Sequence, residues 1–211
     1  MNYSPRLLWL LAALLVVLAA CGGKVESNKN ESNPAPGEGD LLGVLTEPRQ
    51  LIENFGGPST QDTDFNLDDY RGKVVLIYFG FTTCPDICPT TLAEIRQVMS
   101  DLGEDAANVQ FVMVTIDPER DTLDKLKAYV ETFNTSFIGL RQEGETLQAM
   151  QDTFEVKAFK QELPDSAMGY TFDHTPSVFV IDKQGRWVER FLFGTSPSTI
   201  ERDVRLLLAE N

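Results

Sequence analysis

The run Lys73–Phe81 (KVVLIYFGF) passes without a break into Thr82–Pro89 (TTCPDICP). A continuous apolar, β-rich run has no wet face, so Lys73–Phe81 predicts a strand buried on both sides. Beyond it, Leu92, Ile95, Val98, Met99 and Leu102 recur at the spacing of one helix face, which predicts a helix over Pro89–Leu102. Proline suits the first helical turn, while the residue before it is pushed away from helical geometry. Cys88 is therefore expected near the N-cap, with Cys84 on the loop above it. A helix N-terminus offers unpaired N–H groups and positive potential, which favour thiolate over thiol. Two such thiolates can close a disulfide or hold a soft metal ion.

Working outward, Phe65–Leu67 reads as a short strand before a turn, and Val109–Ile116 (VQFVMVTI) as a second buried strand. Asp121–Phe133 and Leu147–Val156 carry helical spacing. Val178–Ile181 and Trp187–Phe193 flank the turn signal Asp182-Lys183-Gln184-Gly185. Pro197–Ala209 closes the chain as an amphipathic helix. Lys157–Phe172 has weak periodicity and is read as a long loop, of a kind often functional. The order βαβ followed by ββα fits an α/β protein with a thioredoxin-like fold: a central mixed sheet flanked by helices, with an N-terminal β extension.

The folded domain is placed at residues 41–211. Residues 21–40 are rich in Gly, Ser, Asn, Glu and Pro and read as a flexible tether. Before them, Arg6 precedes the apolar run Leu7–Ala20, which is short for a membrane span. The run ends in Leu18-Ala19-Ala20-Cys21-Gly22, which resembles a bacterial lipobox. That resemblance implies a signal peptide over residues 1–20 and lipidation of Cys21. The protein would then sit on the extracytoplasmic, periplasmic side of the bacterial envelope, held to the membrane by acyl chains. The net charge of −14 argues against nucleic acid as a partner.

Outside the cytoplasm a disulfide between Cys84 and Cys88 could persist, yet so small a loop constrains the unfolded chain little, which tilts the pair toward chemistry. The chain holds a single histidine, His174, just before Thr175-Pro176 and the strand Val178–Ile181. In a thioredoxin-like sheet that strand start lies near the helix end bearing the cysteines. Two thiolates and an imidazole suit copper, with zinc the rival on ligand type. Asp173 beside the histidine and Asp86 between the cysteines are candidate outer-shell groups. Met168 is read as packing. Asp117, Arg120 and Asp121 are read as a turn that caps the following helix.

Several segments in matching order carry a wider resemblance: Tyr70–Phe81, the Cys-x-x-x-Cys-Pro segment, Ile116-Asp117-Pro118-Glu119-Arg120-Asp121-Thr122, Phe137–Leu140 and Asp173-His174-Thr175. On these the chain resembles the Sco/SenC family of copper-binding cytochrome oxidase assembly proteins. The resemblance implies one copper ion, Cu(I) or Cu(II), held by Cys84, Cys88 and His174. It also implies delivery to the copper-binding subunit of cytochrome c oxidase, with another periplasmic copper chaperone or a thioredoxin-like reductant as further partners. Thiol–disulfide exchange by Cys84 and Cys88 is the alternative role. Thr175-Pro176 is similar to the Pro loop of thioredoxin-type reductases, commonly cis, which keeps that alternative open. The C-x-x-x-C spacing, wider than the C-x-x-C of reductases, favours a metal. A peroxidase reading using Thr82 or Thr83 lacks a well-placed arginine.

Overall fold

The computed structural model describes residues 40–61 and 63–210. Cys21, the signal peptide and nearly all of the tether lie outside these residues. Six strands form one mixed sheet in the order β1 (Val44–Leu51), β10 (Arg186–Phe191), β9 (Val178–Ile181), β4 (Val74–Gly80), β5 (Val109–Thr115), β6 (Ile138–Leu140). β4 pairs with β5 in parallel and with β9 antiparallel. Every residue of β4 is buried, as the unbroken apolar run requires, because helices cover both faces of a strand placed at the centre of the sheet. Two short ribbons stand apart from this sheet: β2 (Gly56–Gly57) with β3 (Phe65–Asn66), and β7 (Ala158–Leu163) with β8 (Gly169–His174).

The helices are α1 (Ile87–Leu102), α2 (Leu123–Phe133), α3 (Gly144–Thr153) and α4 (Pro197–Ala209), with 3-10 turns at Leu67–Tyr70 and Gly103–Asn108. In α1 the buried stripe runs Cys88, Leu92, Ile95, Val98, Met99 and Leu102, and the helix packs beside α4. Cys88 is thus the first member of a core-facing row. Its side chain is fixed by the same burial that fixes the helix.

Two expectations are corrected. Helix α1 begins at Ile87, not Pro89, so Cys88 lies inside the first turn, where a proline at the third position removes only an N–H that had no helical partner. Asp86 holds the N-cap position but makes no capping bond with its side chain. Lys157–Phe172 is not a loop. Most of it forms the β7–β8 ribbon, paired from Ala158↔His174 to Leu163↔Gly169.

At the other edge, the chain entering β1 is gripped by two buried acids. Leu42 N–H donates to Asp203 Oδ2 (2.5 Å), and Gly43 N–H donates to Glu189 Oε2 (3.0 Å) and to Asp203 Oδ2 (3.2 Å). A Cβ at Gly43 would stand 2.2 Å from Glu189 Oε2, so the backbone comes this close only because no side chain intervenes. Burial and the neighbouring Asp203 push the Glu189 carboxyl up to about 8.

Candidate metal centre

The parallel strands of the sheet all end on one side, and the chemistry-bearing residues collect there. β4 runs out at Gly80, the chain crosses Phe81 to Asp86, and α1 turns back with Cys88 in its first turn. β8 ends at His174 on the same side. The three donor atoms, Cys84 Sγ, Cys88 Sγ and a ring nitrogen of His174, lie within 4.8 Å of one another. Cys88 Sγ stands 3.8 Å from His174 Nε2. Thiolate and imidazole bonds of about 2.3 and 2.0 Å, the lengths zinc makes, opened to 120° would separate S and N by about 3.7 Å. The spacing therefore fits a single ion held between the donors. The donor set, two soft sulfurs and one imidazole, fits copper or zinc by ligand type.

The two sulfurs are not equivalent. Cys88 is fully buried and Cys84 is half-buried. Cys88 N–H donates to Cys84 Sγ at 3.4 Å. The Cys84 thiol is pulled down to about 4, first by the hydrogen bond from the Cys88 side chain, then by His174 and by the backbone N–H groups of Cys88 and Asp86. The Cys88 thiol is pushed up by that same bond and by burial. The metal-free pair thus shares one proton: a half-buried Cys84 thiolate and a buried Cys88 thiol. Tyr78 O–H also donates to Cys88 Sγ, at 3.4 Å, and burial raises this phenol well above its usual range.

Gly80 makes room for the arrangement. A Cβ there would meet Tyr78 Cε1 at 2.6 Å and Cys88 Sγ at 3.1 Å. His174 sits among rings, edge-on to Tyr78 (6.1 Å) and Phe81 (5.9 Å), with Nδ1 3.3 Å from the Thr175 carbonyl oxygen. Asp173 accepts from Gln161 Nε2 at 3.1 Å. Thr175–Pro176 is not cis: among the described residues only Glu47–Pro48 is. The likeness to a reductase Pro loop stops short of the peptide geometry.

The Asp117–Asp121 turn is not a helix cap. Thr122 caps α2, accepting from Lys125 N–H, while Asp121 accepts from the backbone and hydroxyl of Thr82 and from Thr115 Oγ1. Thr82 is thereby committed to Asp121. Asp117 pairs with Arg120 and accepts from Tyr170 O–H (2.8 Å). Tyr78, Arg120 and Tyr170 carry no site role in the sequence reading. Tyr78 is hidden inside a hydrophobic run, and the contacts of Arg120 with Tyr170 depend on a ribbon read as a loop.

The profile of the SCO1/SenC family matches residues 44–209. The chain belongs to the SCO1/SenC family. A SCO2-like protein of Rickettsia prowazekii is 37% identical to this Sco chain over 173 residues, spanning 76% of it and 84% of the relative. One of Rickettsia felis is 37% identical over 136 residues, spanning 64% of this chain and 66% of the relative. Among solved structures, Bradyrhizobium japonicum ScoI with copper bound matches with a TM-score of 0.67 at 31% identity, covering 74% of this chain and 99% of that one. A SCO1/SenC family lipoprotein from Bacillus anthracis matches with a TM-score of 0.64 at 25% identity, covering 76% and 96%. A thioredoxin-family thiol:disulfide interchange protein of Chlorobium tepidum shares the fold, with a TM-score of 0.55 at 19% identity, covering 78% and 99%. The sheet of this Sco chain is thioredoxin-like.

Proposed function

We propose that the protein is a copper carrier of the bacterial cell envelope, binding one ion through Cys84, Cys88 and His174 and passing it to the copper-binding subunit of cytochrome c oxidase. The observation that carries this reading is the convergence of the three donors within 4.8 Å. Copper binding by the Bradyrhizobium relative supports the identity of the ion. Cu(I) with two thiolates and a neutral imidazole carries one net negative charge. Loading requires the reduced pair, because closing the disulfide ties up both sulfur donors, with two electrons passing to an oxidant and the one proton that the pair shares released. Half-exposure of Cys84 and His174 leaves one side of the ion open to a partner's incoming ligands. Transfer can then proceed by exchanging one donor at a time.

Anchoring through Cys21 is part of the same proposal, supported by the lipobox-like segment and by the lipoprotein relative of Bacillus anthracis. Among the described residues no helix is long and apolar enough to cross a membrane.

A second reading rests on the unequal sulfurs. A half-buried, more accessible thiolate over a buried thiol is the division of labour of attacking and resolving cysteines, which supports a thiol–disulfide oxidoreductase acting on the oxidase copper-site cysteines. The two readings part at His174, which copper needs and dithiol exchange does not. Metal analysis and spectroscopy of the reduced protein, wild type against His174→Ala, separates them. A variant that retains copper as well as wild type does, and still supports oxidase assembly, would hand the function to the reductase.

A further inference from the structure

The ribbon that ends in His174 shares no strand pairing with the six-stranded sheet, and β7 is largely exposed. Backbone bonds tie His174 to β7 and, through Thr175–Ser177, to the start of β9, but no strand pairing with the six-stranded sheet fixes the outer part of the ribbon. Side chains around Arg120 do. Its Nη1 donates to the carbonyls of Met168 (3.1 Å) and Tyr170 (2.9 Å), both at the start of the strand that carries the histidine. Its Nε donates to Asp117, and its guanidinium lies 3.7 Å from the centroid of the Tyr170 ring. The Lys160 ammonium, from β7, lies 3.7 Å from the same ring and pairs with Glu119. Asp117 is almost fully buried and accepts Tyr170 O–H, and its own N–H donates to Thr115 Oγ1, so the anchor belongs to the end of β5. From Tyr170 the strand continues to Phe172, edge-on to Phe81 at 5.6 Å, and then to His174, which meets the same Phe81 ring.

We propose that Arg120 is the positioning residue for His174: by holding two carbonyls and one ring of the ribbon against the Asp117 turn, it sets the imidazole beside Cys88. The proposal rests on His174 being a copper donor only for its consequence, not for the geometry itself. Arginine suits the task because a planar fork can bond two carbonyls and stack on a ring at once, which a lysine ammonium cannot. Arg120 Nη2 is buried without a partner among the described residues. Such an unmet donor is costly, and it is tolerated where placement outweighs stability.

The test uses the metal-free, reduced, full-length protein, so that it does not depend on copper. His174 is the single histidine in the chain, so its ring protons need no further assignment. In Arg120→Lys, which keeps a cation for Asp117, the contacts of those protons with the Phe81 and Tyr78 rings, read by NMR, should fall by about half or more. Amide exchange over Met168–His174 should speed up about tenfold, with α1 unchanged. Arg120→Met should go further. If Arg120→Met does not fold, Arg120→Lys alone decides. In both variants Cu(II) should dissociate about tenfold faster, while the Cys84–Cys88 disulfide forms at the wild-type rate. Wild-type ring contacts and exchange in the variants would overturn the positioning role. Loss of those contacts in proteins whose copper retention does not depend on His174 would support the positioning role while sinking the copper reading.

Discussion

Cys88 and His174 bring their donor atoms to within 3.8 Å of each other by unlike routes. Cys88 opens the buried row of a long helix, beneath a strand buried along its whole length, and Gly80 is bare to receive its sulfur. His174 ends a two-stranded ribbon that lies off the sheet, held by an arginine, a few rings and two carbonyls. One donor is placed by the core, the other by side-chain contacts between the ribbon and the Asp117–Arg120 turn. The asymmetry bears on release. In the proposed carrier, which must hold its ion and also surrender it, a donor on a ribbon outside the sheet can leave before the sulfurs do.

Removing the core-placed donor is the harshest way to break this comparison. Cys88→Ser should abolish copper retention, by more than the roughly 10–100-fold cost of losing an outer-shell partner, and should leave Cys84 as a lone thiol by titration. Removing the ribbon donor should be milder and selective. His174→Ala should weaken Cu(II) retention at least about tenfold and Cu(I) less, since Cu(I) is satisfied by thiolates, with disulfide closure unaffected. Equal losses of the two oxidation states, measured by competition with chelators, would erase the distinction between donors.

A third experiment perturbs packing on the core side alone. Gly80→Ala drives a methyl toward Tyr78 and Cys88, and overpacking of this kind costs about 1–3 kcal/mol, read by denaturant unfolding. The ribbon should keep wild-type amide exchange. A fourth sharpens the difference between the sulfurs: alkylation of metal-free reduced protein should follow Cys84 with a pH midpoint near 4, not near the ordinary thiol value of 9.0. A single midpoint near 9 for both thiols would refute the shared proton.

The smallest effect belongs at the far edge. Burial and Asp203 push the Glu189 carboxyl up to about 8 in the folded chain from an ordinary 4.5, so its stabilisation is full below pH 4.5 and fades as pH rises through 8. Glu189→Gln keeps an uncharged group beside Asp203. It should flatten that loss and raise Tm at pH 8 by about 2–4 °C, the equivalent of about 1 kcal/mol. A wild-type slope in the variant would assign the pH dependence elsewhere.

The same contrast explains what could be read from sequence. β4, β5, β9 and the four helices announce themselves because burial selects apolar residues at a regular period, and α4 begins and ends where the pattern places it. The cysteines inherit that legibility from α1. The ribbon does not, because its strands bury little and so show no apolar alternation, which leaves the segment to read as a loop. The start of α1 was misplaced by two residues because a proline at the third helical position is as harmless as one at the first. Arg120 was legible as part of a turn but not as a clamp. Its partners are backbone carbonyls nearly fifty residues on, and carbonyls leave no trace in composition.

The register of β1 against β10 has a geometric consequence. Val44 pairs with Arg190, beside the row Phe191, Val178 and Tyr78, so the chain joins the sheet at the level where β4 is about to release the cysteine loop. β1 then runs away from the donors, which puts its root, Leu42 and Gly43, on their side of the molecule. The backbone gripped by Asp203 and Glu189 thus lies toward the same end of the sheet as the three donor atoms.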